Sequence, residues 1–157
     1  MKVIFLDIDG VLNYIGCKEM FGRLYGVDDD RLDKLAKIVQ STDAAIVLTS
    51  TWKQLWDNQP LNSDTLDPMA LYLLNRLKSR GLRLTDRTTE KDPSQRGHGI
   101  KAWLRKVPNI ESWVVLDDDM FPDYKECGII PRLVRTRPDS GLTDANVDKA
   151  IRLLNGE

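Results

Sequence analysis

The chain has 157 residues, with 23 Lys and Arg against 24 Asp and Glu and a net charge of −1. That length suits one ordinary domain with a real core, and the near-neutral balance gives no overall field to recruit nucleic acid or a membrane. Two cysteines, Cys17 and Cys127, and a lone histidine form neither a disulfide framework nor a Cys/His metal spacing, so a reducing, cytosolic setting is expected. No apolar run reaches membrane-spanning length, and Met1 leads directly into the first apolar segment, so no signal peptide is expected.

Val3-Ile4-Phe5-Leu6 runs straight into Asp7-Ile8-Asp9-Gly10. A short continuous apolar run fits a strand buried on both faces. On an extended chain, residues i and i+2 share a side, so Asp7 and Asp9 are expected to face one point beyond the strand, where Gly10 lets the chain turn. Neighbouring carboxylates repel unless a cation or a shared proton intervenes. A hard divalent cation such as Mg²⁺ suits the need, because it takes few carboxylates and keeps waters for a phosphate. A solvated acidic turn is the plainer alternative. Asn13 to Val27, with three glycines, reads as a loop or short flap holding Cys17 as a small buried side chain. Leu32, Leu35, Ala36 and Val39 follow helical spacing, and Asp28-Asp29-Asp30 reads as the start of that helix.

Ala44 to Leu48 is a second buried strand, ending in Thr49-Ser50-Thr51-Trp52-Lys53. Hydroxyls at a strand's carboxyl end suit a phosphate, or simply cap a helix. Gln54 to Asp67 reads as a connection. Asp67-Pro68 starts a helix with Leu66, Met69, Ala70, Leu73 and Leu77 on one face, stopped at Gly81. Leu82-Arg83-Leu84 is expected to be a short strand, and Thr85 to Gln95 a loop. Ile100, Trp103, Leu104 and Val107 mark the next helix. Trp113 to Leu116 is a third buried strand, running into Asp117-Asp118-Asp119 with Asp123 beyond. Leu133 to Thr136 is a last strand, and a helix capped near Thr143 closes the chain. Alternating strands and helices imply a parallel, doubly wound α/β sheet, in which ligands bind beyond the strands' carboxyl ends. Asp7/Asp9, Thr49/Ser50 and Asp117 to Asp123 all belong at those ends. A second acidic cluster there is costly without a counter-ion.

Asp-x-Asp-Gly-Val after the first strand, hydroxyls after the second, a basic residue opening a helix and Asp-Asp after a later strand resemble the haloacid dehalogenase (HAD) superfamily, in its motif order and over nearly the whole chain. Leu48 to Lys53, Arg96-Gly97 leading into Ile100 to Leu104, and Val115 to Asp119 are similar to the small HAD domains associated with Swiss army knife RNA repair proteins. The resemblance implies a HAD-like Rossmannoid three-layer sandwich over residues 1–157, with a mostly parallel sheet and at most a small cap. It implies a Mg²⁺-dependent phosphohydrolase acting on a phosphomonoester through an aspartyl-phosphate. Asp7 would be the nucleophile and Asp9 the general acid and base. Thr49 or Ser50 would bind the phosphoryl group. Asp118 would be the principal metal carboxylate beside Asp7 and Asp117, with the main-chain carbonyl of Asp9 and support from Asp119 or Asp123. The usual lysine is absent. Arg96 stands nearest that position and Lys101 lies a turn later, and Arg96 is the preferred candidate for the phosphate. The family mechanism does not require His98.

The phosphomonoester is expected to be a nucleotide or a nucleic-acid end, since no large lid is evident and ten Lys or Arg against three Asp or Glu lie between Arg76 and Lys106. Trp52 and Trp56 are the tryptophans best placed to stack on a base. Neither a membrane nor an obligate protein partner is indicated. A receiver-like phosphoacceptor module and an inactive partner-binding domain of the same fold are the rival readings.

Overall fold

The computed structural model describes residues 1–157. The elements in order are β1 (Lys2–Leu6), β2 (Met20–Phe21), β3 (Leu24–Tyr25), α1 (Asp29–Thr42), β4 (Ala45–Leu48), α2 (Pro68–Lys78), β5 (Leu84–Arg87), α3 (Arg96–Lys106), β6 (Ser112–Asp117), β7 (Leu133–Arg135) and α4 (Asp144–Leu154). Five strands make one parallel sheet in the order β5-β4-β1-β6-β7. Parallel neighbours need crossover connections, which α1, α2 and α3 supply. From β1 the chain moves outward to β4 and β5, then returns to the other side of β1 for β6 and β7. The reversal falls between β1 and β6, and the carboxyl edge of such a switch point is where open α/β sheets bind ligands.

The two-residue period of the strands sorts the side chains into two cores. Ile4, Leu6, Ile46, Leu48, Val114, Leu116 and Val134 face α1, α2 and α4. Val3, Phe5, Val47, Val115 and Leu133 face the other way, onto Ile100 and Trp103 of α3 and onto Tyr124 and Ile129. Phe5 packs edge-on against Trp103, with ring centroids 5.4 Å apart. Extending this parity one step carries Asp7, Thr49 and Asp117 to the α3 side of the sheet, where α3 begins with Arg96. The registers agree: the Asp7 N–H donates to the Leu116 carbonyl and the Thr49 N–H to the Leu6 carbonyl.

Several local expectations shift. The flap after Asn13 contains an antiparallel hairpin, β2 with β3. Residues 51–56 form a 3-10 turn that runs into the start of the Gln54 to Asp67 stretch read as a connection, and Ser50 Oγ caps it by accepting from the Trp52 N–H. The expected strand at Leu82 to Leu84 lies two residues later, and part of the expected loop is β5. Leu82 instead finishes α2, its N–H donating to the Leu77 carbonyl, and β5 is an edge strand paired only with β4, so its sequence lacks the apolar run that marks a central strand. The Trp52 to Gln95 segment forms no lid: Trp56, Leu66, Ala70, Leu73 and Leu77 belong to the main core. No helix is long and apolar enough to cross a membrane.

Candidate active site

Asp7 leaves β1 on the α3 face and is buried, while the chain turns away behind it. The Val11 and Leu12 N–H groups both donate to the Ile8 carbonyl, and Gly10 sits at φ +77°. A Cβ at Gly10 would overlap the Asp118 carboxylate, so that position admits no side chain without displacing a site carboxylate. From β6, Asp117 is fully buried and Asp118 is half-buried beside it. Carboxylate oxygens of Asp7, Asp117 and Asp118 all lie within 4.8 Å of one another.

Arg96 faces this cluster from the first turn of α3. Its Nη1 lies 3.3 Å from Asp7 Oδ1 and 3.1 Å from Asp117 Oδ2. The Phe121 ring covers its guanidinium, with centroid and Cζ 4.1 Å apart. Tyr124 Oη donates to Asp117 Oδ2 at 2.8 Å. Arg96 is the cation among these carboxylates, and the balance is poor. Burial, then the Asp117 charge, pushes the Asp7 carboxyl well above the usual carboxylate range despite Arg96. Burial and Asp117 likewise lift Asp118 to about 6. Burial works against the charge on Arg96, yet Asp7 and Asp117 hold its pKa above the ordinary value. An all-oxygen donor set short of positive charge fits a hard divalent cation such as Mg²⁺.

Asp9 stands apart from those three carboxylates. Its side chain is exposed and turned toward Asn13 and Trp52: Asn13 Nδ2 donates to Oδ1 at 3.0 Å and Trp52 Nε1 to Oδ2 at 3.2 Å. Asn13 is itself fixed, its Oδ1 accepting from the Gly10 N–H at 2.9 Å. β1 ends at Leu6 and the Ile8 carbonyl closes a turn with the Val11 and Leu12 N–H groups, so the alternation of an extended strand does not run on to Asp9.

The hydroxyl pair separates. Ser50 Oγ is committed to capping the 3-10 turn, whereas Thr49 Oγ1 is buried with no hydrogen-bond partner. An orphaned buried hydroxyl costs free energy and marks Thr49 as the one free to accept or donate to a ligand. Beside it lies a buried Lys53, the last residue of the Leu48 to Lys53 stretch. Its Nζ donates to Thr88 Oγ1 at 2.9 Å and to Glu90 Oε1 at 2.5 Å; burial lowers its pKa, and Glu90 opposes that shift. A polar groove of about 420 Å³ adjoins this pair, lined by Asn58, Arg87 and Lys91 among others.

Other candidates are placed elsewhere. Lys101 is off the site, lining a groove with Leu104, Ile110 and Trp113 near the amino-terminal end of β6, because five residues along α3 carry it away from the helix start. Asp123 caps α3, its Oδ1 and Oδ2 accepting from the Gly97 and His98 N–H groups at 2.9 and 2.8 Å. Asp119 is exposed, and its N–H donates to Asp117 Oδ1. Trp52 and Trp56 are buried, and Trp56 Nε1 donates to the Leu61 carbonyl, so neither presents a face to a base. The basic stretch is partly spent on structure, with Arg76 and Arg80 paired to Asp29 and Asp33 of α1. Phe121 and Tyr124 are the neighbours the sequence did not reveal, and Lys53 carried no role there, since the contacts with Arg96, Asp117, Thr88 and Glu90 cross from other elements and follow no local spacing.

The parallel sheet, the carboxylates at its switch point and the arginine facing them define a HAD-like Rossmannoid domain. Over residues 3–147 the chain matches the family described as the HAD domain in Swiss Army Knife RNA repair proteins, and it belongs to that family. Membership supports a phosphohydrolase-type function in general. Neither a curated protein nor a solved structure gives a significant match.

Proposed function

We propose that the protein is a Mg²⁺-dependent phosphomonoesterase that works through an aspartyl-phosphate on Asp7, with a phosphorylated nucleic-acid end or nucleotide as substrate. The observation that carries this reading is Asp7 itself, at the carboxyl end of the central strand, 3.3 Å from the Arg96 guanidinium and grouped with Asp117 and Asp118. Asp7, Asp118 and Asp117 would hold the metal, with the Asp9 carbonyl. When bound, Mg²⁺ supplies the positive charge that keeps Asp7 ionised and offsets the charge of the phosphate.

Asp7 attacks phosphorus, and the bond to the leaving oxygen breaks as Asp9 delivers its proton to that oxygen. Asn13 and Trp52 aim the Asp9 carboxyl while it does so. Asp9 then takes a proton from water, the water oxygen bonds to phosphorus, and the Asp7–phosphorus link breaks to release phosphate. Thr49 and Arg96 bind the phosphoryl oxygens, since this chemistry rests mostly on positioning and charge neutralisation. A nucleic-acid or nucleotide substrate is supported by the family's description and by the polar groove with Arg87 and Lys91 beside the phosphate pocket.

Hydrolysis of p-nitrophenyl phosphate with and without Mg²⁺, for the parent and Asp7→Asn, is the first test, followed by 3′- and 5′-phosphorylated oligonucleotides. Metal-dependent turnover in the parent that falls to background in Asp7→Asn is the expected result. Stable labelling of Asp7 by acetyl phosphate without turnover would favour a receiver-like module, and no reaction with any of these would favour a binding role.

A further inference from the structure

The turn after β6 does more than lead to β7. The Tyr124 N–H donates to the Phe121 carbonyl and the Cys127 N–H to the Asp123 carbonyl, so residues 121–128 form a run of consecutive hydrogen-bonded turns. Phe121 covers Arg96, Tyr124 holds Asp117, and Asp123 caps α3. On the outer side of the same turn, Glu126 and Cys127 meet His98 from the first turn of α3. One ligand atom from each of these three residues lies within 4.8 Å of the other two. His98 Nδ1 is 2.8 Å from Asp123 Oδ2, and Asp123 is a buried carboxylate already fixed by two main-chain N–H groups. An acceptor there sets the tautomer, leaving the Nε2 lone pair free, 3.8 Å from Glu126 Oε1. A carboxylate behind a histidine, holding the ring for a ligand on the far nitrogen, is the arrangement that accompanies metal-bound histidines.

We infer that His98, Glu126 and Cys127 form a zinc site, with Asp123 as the orienting carboxylate behind His98. The donors are imidazole nitrogen, thiolate sulfur and carboxylate oxygen, a set that selects zinc-like cations over Mg²⁺. The site is therefore chemically distinct from the all-oxygen aspartate cluster. Chain spacing hides it, since His98 and Cys127 are far apart in sequence and no Cys-x-x-Cys or His-x-x-x-His pair announces it. Three protein ligands leave a fourth position open for water or another small donor. Bound there, zinc ties the start of α3 to the turn that holds Phe121, Asp123 and Tyr124. It thus braces the mount of Arg96 from behind without touching the reacting groups. Zinc binding displaces the Cys127 thiol proton to solvent, so uptake releases protons.

The test is Co²⁺ and Zn²⁺ titration of the full chain under reducing conditions in excess Mg²⁺, which occupies the carboxylate cluster. The expected result is one Co²⁺ per chain with a near-ultraviolet thiolate-to-metal band and tetrahedral visible bands, both displaced by one equivalent of Zn²⁺. Cys127→Ser should abolish the thiolate band, and His98→Ala should weaken binding by roughly 10–100-fold or more, while Cys17→Ser changes neither. Zinc should also raise the Tm of the parent and not of His98→Ala/Cys127→Ser. His98 is exposed and Cys127 part-buried, and the metal-free Tm of each variant reports its folding. Absence of a thiolate band in the parent, a band that survives Cys127→Ser, or zinc uptake that Mg²⁺ abolishes would each overturn the site. None of these readouts depends on phosphatase activity.

Discussion

Two aspartate triplets, Asp28-Asp29-Asp30 and Asp117-Asp118-Asp119, look alike on paper and do opposite things in the fold. The first is at home where it stands. Asp28 caps α1 through the Arg31 N–H, Asp29 meets Arg76 and Arg80, and Asp30 meets Lys34 and Arg31. Hydrogen bonds from Arg76 and Lys34 draw the pKa values of Asp29 and Asp30 downward. The second triplet shares Arg96 with Asp7, and burial with mutual repulsion drives Asp7 and Asp118 upward. One acidic cluster is satisfied within the fold and the other is short of charge, which is what makes the second the candidate for a ligand.

The sharpest break between the triplets is in the sign of a single neutralisation. Asp7→Asn is expected to take turnover to background, and in the absence of Mg²⁺ to hold or raise the Tm, because it removes a buried charge the fold disfavours. A differential scan of both proteins without metal checks it; a clear fall in Tm would mean the Asp7–Arg96 pair stabilises the fold and the cluster is not electrostatically strained. Gly10→Ala comes next. The new Cβ meets the Asp118 carboxylate at a backbone φ of +77°, so the Asp118 side chain is expected to shift within the cluster. A displacement on that scale is expected to lower kcat/KM by about 10²-fold and to weaken Mg²⁺ activation, while Gly22→Ala in the open hairpin turn, also at positive φ, spares activity.

Charge deficiency also fixes the pH response. A carboxyl whose folded pKa lies above its unfolded value near 4 binds more protons folded than unfolded between the two. For Asp118, raised to about 6, metal-free stability is therefore expected to fall as pH rises from about 4 through 6, and Asp7 adds in the same direction. The Asp29 and Asp30 shifts have the opposite sign, but those groups are exposed and solvent screening shrinks their share. Saturating Mg²⁺ should then raise the Tm more at pH 7.5 than at pH 5. Equal increments at the two pH values would detach the metal from these carboxylates.

How much of this was legible beforehand follows the same division. Central strands read clearly because burial on both faces leaves a continuous apolar run: Val3 to Leu6 and Trp113 to Leu116 lie in the sheet, as does the Ala44 to Leu48 run from Ala45 onward. The two-residue period then carries Asp7, Thr49 and Asp117 to one face. β5 was misplaced because an edge strand with polar residues carries no such run. The carboxylates at the ends of β1 and β6 were visible, since folding alone gives no reason for acids at the ends of buried strands. The direction of the Asp9 side chain was not legible, because β1 ends at Leu6 and the chain turns from Ile8 to Leu12. Thr49 and Ser50 were separable only once the 3-10 turn showed which hydroxyl was already in use. Lys53, Phe121 and Tyr124 act across elements, and no local pattern encodes such contacts.

The smallest expected effect belongs to the first triplet. Asp28 accepts from the Arg31 N–H at 3.1 Å, satisfying one of the donors that a helix start leaves without a partner. Asp28→Ala removes that cap and the side chain's contact with Arg31 Nη1, and is expected to cost about 1 kcal/mol, read as a lower urea midpoint at unchanged slope. Arg31 keeps its bonds to the Ser140 carbonyl, so α1 should stay docked and phosphatase kinetics should match the parent. Asp28→Asn should recover most of the loss, since asparagine caps as well as aspartate. Recovery by Asn at Asp28 beside inactivation by Asn at Asp7 separates an aspartate used for its shape and acceptor from one used for its charge. Loss of turnover in Asp28→Ala with the fold intact would instead place the first triplet in the catalytic machinery and dissolve the contrast between the two.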